Sequence, residues 1–175
     1  MSEYGNGYKW SQAAVKGLLL ALITVACNTV TYLIEGNTIV SILMFIVRLV
    51  ASIWLLVYFM KQYKATTGQE PFSFGVAVVL FSSLICAFYD AAALAWIFPG
   101  LQDQVSEALS QTMSSLPSES QSIMERMMDH YPRIAFFSTF IKDFIIGLIV
   151  AAIANSSMRP KDPFAADKKE EDELA

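Results

Sequence analysis

Four stretches of about 20 predominantly apolar residues, each long enough to cross ~30 Å of hydrocarbon, alternate with polar segments along this chain. Backbone groups find no water inside a bilayer, so such stretches must be helices or strands of a closed barrel. Barrel strands are short and alternate apolar with polar positions. These runs do not alternate, and the pattern predicts helices over 14–34, 38–60, 74–98 and 134–155. The predicted fold is all-α: an integral membrane four-helix bundle with an extramembrane amphipathic helical segment between helices three and four.

The connections differ in kind. Residues 1–13 are polar, with Tyr4, Tyr8 and Trp10 suited to a headgroup layer. Glu35-Gly36-Asn37 reads as a tight turn, which makes helices one and two an antiparallel hairpin over 14–60. Residues 61–73 read as a polar loop, with Ser73 a candidate N-cap and Phe72 a candidate staple onto Ala77. Pro99-Gly100 closes helix three, and 99–133 is the sizeable extramembrane part. Leu101, Val105, Leu109, Met113 and Leu116 share one helical face. Pro117 interrupts, and Ser118-Glu119-Ser120-Gln121 has capping-box spacing ahead of Ile123, Met124, Met127, Met128 and Tyr131. Two short amphipathic helices result, ended by Pro132. Residues 156–175 form a charged tail expected to be disordered.

Each predicted span has a small or polar face at helical spacing. In helix one it is Ala21, Thr24, Asn28, Thr31 and Glu35; in helix two, Ser41, Arg48 and Ser52. In helix three Ser83, Ala87, Ala91 and Ala95 recur every fourth residue, with Asp90 alongside. In helix four it is Thr139, Asp143, Gly147, Ala151 and Asn155. Small residues let membrane helices approach closely, so these faces are expected to pack together or to form a homo-oligomer seam.

Four charges lie within the spans: Arg48, Asp90, Lys142 and Asp143. Each costs at least about 2.5 kcal/mol on insertion scales, so each needs a partner or a purpose. At ~1.5 Å per residue all four fall roughly 12 to 15 Å from the outer helix ends, in one layer. The layer sums to zero charge. Adjacent Lys142 and Asp143 point about 100° apart. Asp143 shares the small face, so it is expected to pair with Arg48. Lys142 then pairs with Asp90 or snorkels outward. With Asn28 nearby, the layer is either a structural register device or an ion or proton site.

The remaining chemistry is sparse. The chain has 175 residues, 55% hydrophobic, and a net charge of −4 concentrated in the tail. No basic patch with interleaved aromatics favours nucleic acid. Cys27 and Cys86 lie in apolar runs and read as small buried hydrophobes. Val25-Ala26-Cys27 faintly resembles a lipoprotein cleavage site, but the apolar run continues past it, so an uncleaved helix is expected. The one histidine, His130, lies far in sequence from either cysteine. Glu125 and Asp129 beside it read as a solvated face. No catalytic residue, cofactor site or metal site is expected.

Orientation follows from Lys and Arg in the short connections. Lys9, Lys16, Lys61, Lys64, Arg159, Lys161, Lys168 and Lys169 lie on one side, against Arg126 and Arg133 on the other. Both termini are therefore expected in the cytoplasm, with the chain in the cytoplasmic (inner) membrane.

The order of features resembles an uncharacterised family of bacterial, Bacteroidota-type membrane proteins, domain of unknown function 4199. The resemblance rests on the early helix pair, Lys61-Gln62-Tyr63-Lys64 with Gly68, Phe72-Ser73-Phe74-Gly75, and Phe98-Pro99-Gly100 before an amphipathic segment. A last helix and a charged tail complete it. The resemblance implies a small inner-membrane protein and brings no activity with it. The leading expectation is a non-enzymatic structural or interaction component, whose partners are the lipid bilayer and another membrane or periplasmic protein. The alternatives are a small ion- or proton-coupled transporter or channel subunit, which would be a homo-oligomer, and a membrane-surface sensor using 101–131.

Overall fold

The computed structural model describes residues 2–34, 38–98, 100 and 130–158, with the backbone alone at 2–6 and 8. They form four long helices: α1 (Ser2–Leu33), α2 (Thr38–Thr67), α3 (Phe72–Ala92), extended by a π-helical turn Ala93–Ile97, and α4 (Tyr131–Ser157). All four are long and apolar enough to cross a membrane. No strand occurs among the described residues.

The helices overrun the apolar stretches that announced them. Helix α1 begins at Ser2 rather than at residue 14, and α2 continues to Thr67 rather than stopping at Met60. Lys61 to Ala65 are good helix formers, so the helix persists after the apolar run ends. Gly68 stops it, with φ 67° and its N–H donating to the Lys64 carbonyl at 2.9 Å. The expected loop thus shrinks to 68–71. Pro71, not Ser73, occupies the N-cap of α3, and no side chain caps it. Ser73 Oγ accepts a hydrogen bond from Lys9 Nζ instead. Pro132, expected to precede helix four, lies in the first turn of α4, where its missing N–H costs nothing. The turn 35–37, the amphipathic segment 101–129 and the tail 159–175 lie outside the described residues.

Helix α3 is the centre. Half of its most apolar 18-residue stretch is buried against 6% of that of α2, and its main neighbours are α4 and α1. The small faces set those contacts. A Cβ on Gly17 would lie 2.8 Å from the Val78 carbonyl oxygen, so α1 and α3 meet nearly backbone to backbone. A Cβ on Gly147 would lie 2.4 Å from Val79 Cγ1, which seats α4 on the other side of α3. Ala151 and Ala154 of α4 and Ala13 and Ala21 of α1 are buried with them.

The apolar core is confined to one half of the bundle, near the start of α1 and the end of α2. Leu56, Phe59, Met60 and Tyr63 of α2 meet Phe74, Ala77, Val78 and Val79 of α3 there. Tyr63 stacks on Phe74 with centroids 4.2 Å apart and planes 3° apart. In the opposite half, Asp90 and Thr139 are buried and large apolar side chains such as Ile42, Phe45, Phe88 and Phe137 turn outward.

The four-residue stripe on α3 holds for Ser83 and Ala87, which are buried, but not for Ala91 and Ala95, which are half-buried. Four residues advance about 400°, so a strict stripe drifts ~40° per step. By the next turn Asp90 has taken the inward position, followed by Ala93.

Gly147→Ala should lower stability by about 1–3 kcal/mol through overpacking, and adding Val79→Ala should restore most of the loss. Thermal unfolding of the purified variants in detergent, followed by circular dichroism, checks both.

Candidate functional site

The intramembrane charges meet across the bundle, in the half that lacks an apolar core. Arg48 reaches from α2 to α4, where Nη2 lies 2.7 Å from Asp143 Oδ2. Both side chains are largely withdrawn from the surface. This is the pairing expected from their shared small face. Arg48 Nη1 also donates to Asn28 Oδ1 on α1 at 3.1 Å. A guanidinium can only donate, so the Asn28 carbonyl oxygen must face it. That leaves the Asn28 amide to donate to Asp90 Oδ1 on α3 at 3.0 Å. Asn28 thus links a cation to an anion in one fixed amide orientation.

Asp90 is buried and gathers three neutral donors. Besides Asn28 they are the Tyr32 hydroxyl at 3.3 Å on Oδ1 and the Thr139 hydroxyl at 3.1 Å on Oδ2. Beside them the Thr29 and Tyr89 hydroxyls share a hydrogen bond of 2.5 Å between α1 and α3. The connected chain Asp143–Arg48–Asn28–Asp90–Thr139 therefore runs through all four helices.

Lys142 does not pair with Asp90. Its side chain is 57% exposed, and its ammonium lies 3.8 Å from the second oxygen of Asp143. The snorkelling alternative describes it better. Helix rotation is the reason: once Asp143 faces Arg48, its neighbour is carried about 100° around, toward the surface. The neutral layer is thus uneven inside the bundle: Asp143 takes the one guanidinium, and Asp90 is reached from it only through Asn28. Tyr32, Thr29 and Tyr89 were missed as members. Tyr32 follows Asn28 by one turn, but a tyrosine near a span end reads first as an interfacial anchor, whereas Tyr89 adjoins Asp90 well inside its span.

A cleft of about 260 Å³ adjoins this network. Its floor is α1 and α3, through the buried Leu20, Thr24, Val79, Ser82, Ser83 and Cys86. Its lips are the exposed lining residues Phe45, Leu49 and Ile53 of α2 and Lys142 and Ile146 of α4, so it opens sideways between those helices. Arg48 and Asp143 stand in its wall. Cys86 is buried as expected and Cys27 is half-buried. Among the described residues no group of three His, Cys, Asp or Glu is placed to hold a metal. His130 precedes α4, while Glu125, Asp129 and the sensor segment lie outside the described residues.

The model of a family of proteins of unknown function, DUF4199, matches residues 16–159. The chain belongs to that family. The matched range contains every member of the network described above, and it excludes residues 2–15 of α1 and residues 160–175. No curated protein and no solved structure matches the chain.

Asn28 touches both charges, so Asn28→Val should cost about 1–2 kcal/mol, the upper range for interhelical hydrogen bonds in membranes. Lys142→Gln should cost less than about 1 kcal/mol, as for other exposed ion pairs. Unfolding midpoints in detergent would rank the two.

Proposed function

We infer that this DUF4199 protein is a non-enzymatic, multi-pass component of the cytoplasmic membrane, acting as a structural or interaction partner, with both termini on the cytoplasmic side. The observation that carries this reading is the satisfied polar network. Among the described residues no buried side-chain nitrogen or oxygen lacks a hydrogen-bond partner. Buried charges whose polar atoms are all hydrogen-bonded and that are tied to four helices act as a register lock. The orientation rests on the lysines: Lys9, Lys16, Lys61 and Lys64 lie near the start of α1 and the end of α2, whereas Arg133 lies at the start of α4.

The cleft favours a second reading, an ion- or proton-coupled subunit. It brings a laterally open space against Arg48 and Asp143. Ionisable residues facing such a cavity mark transport pathways in other membrane proteins. Four helices are few for a transporter, so this reading requires a homo-oligomer.

The two readings separate at Asp143. If the network is a lock, Asp143→Asn leaves Arg48 unpaired and destabilises by about 3 kcal/mol, and a further Arg48→Gln partly restores stability. If it is a transport site, Asp143→Asn folds normally and abolishes a pH-dependent flux that wild-type proteoliposomes display. Normal stability of Asp143→Asn would sink the structural reading. For orientation, a cysteine placed at position 110 should react with impermeant maleimide only from the outer side.

A further inference from the structure

A second pocket, of about 190 Å³, lies where α1 and α2 pass the start of α3. Its floor is aromatic: Phe59 and the stacked pair Tyr63 and Phe74, all buried. Its mouth is polar, formed by the exposed Gln62 and Thr66 with Gln12 and Thr67 beside them. Lys16 enters from α1 and is held in place. Its Nζ donates to Gln62 Oε1 at 3.1 Å and stands 4.7 Å from the centroid of the Phe59 ring. An ammonium has three donors, so one hydrogen bond and one ring face leave capacity for a ligand oxygen.

The setting selects an anion. Lys9, Lys16, Lys61 and Lys64 gather at this end of the bundle, and Glu70 is the acidic side chain described there. The depth selects a lipid. Lys16 is 17 residues from Leu33, or roughly 26 Å along α1, and Gln62 is 24 residues from Thr38, or roughly 36 Å along α2. A hydrocarbon layer ~30 Å thick therefore ends at the level of the pocket. Trp10 and Tyr58 are exposed at the same level, as anchors of that boundary would be. Leu19 lies one turn from Lys16, and the exposed Val15, Leu18 and Leu22 continue around the outside of α1 as apolar surface for an acyl chain.

We propose that this pocket binds the phosphate of an anionic bilayer phospholipid, with the Lys16 ammonium as its counter-ion and the acyl chains lying along α1. Lys16 is thereby a binding residue, distinct from the midplane network that Arg48 and Asp143 form.

The full chain is reconstituted in mixed phosphatidylcholine and phosphatidylglycerol bilayers, extracted, and examined by native mass spectrometry for retained lipid. Phosphatidylglycerol should be retained over phosphatidylcholine. Lys16→Gln should lower that retention about fivefold, the effect of one basic residue near an anionic surface. Lys16→Arg should preserve it, and so should Lys61→Gln, because Lys61 is exposed and does not line the pocket. Thr66→Trp fills the mouth while leaving Lys16 and Gln62 in place, so it decides the matter if Lys16→Gln fails to fold. Loss of the lipid in Thr66→Trp supports the pocket. Unchanged retention in Thr66→Trp, equal retention of both lipids, or an equal loss in Lys61→Gln overturns it. Displacement of the lipid by inorganic phosphate alone would show a free-phosphate site and overturn the lipid assignment.

Discussion

The contact between Arg48 and Asp143, extended by Asn28 to Asp90, is the constraint on which the half of the bundle around Asp90 and Thr139 depends. Helices in lipid gain little from burying apolar side chains, because the tails outside are as apolar as a core. A charge left facing those tails is costly. Rotating α2 or α4 away from the observed register would expose Arg48 or Asp143, and rotating α1 would disconnect both from Asp90. The network therefore specifies four rotations at once.

The other half is organised by size instead. Gly17 and Gly147 allow α1 and α4 to close on opposite sides of α3, and Met60 fills the space left by Gly75. The aromatic floor of Tyr63 and Phe74 completes this end. Close packing and polar bonding are thus divided along the axis. Helix α2 belongs fully to neither, touching the core through its last turns and the network through Arg48. That division leaves the lateral cleft between α2 and α4.

A π-helical turn begins three residues after Asp90, with the Phe98 N–H donating to the Ala93 carbonyl at 2.8 Å. Such turns often sit beside functional positions because they change the face that a helix presents. Here it follows the change already made by the drift of the small stripe. Asp90 and Ala93 are buried, while Trp96 beyond them is exposed.

The four spans and the partnership of Arg48 with Asp143 were legible because length, helical spacing and depth are linear properties of a chain. The helix ends were less legible: apolarity marks where lipid stops, whereas Gly68 and Pro71 mark where the backbone turns. Membership of the DUF4199 family was also legible, from the order of short segments. The fate of Lys142 was not. Spacing requires Lys142 and Asp143 to diverge but does not say which turns inward. Nor could it show that Asp90 would be held by Asn28, Tyr32 and Thr139 instead of a cation. The sequence by itself determined the four apolar spans, their lengths and the position of each charge along them. The tertiary structure alone decided what Lys142 and Asp90 meet, because partnership depends on the rotation of each helix about its own axis, and that is set only when all four pack together.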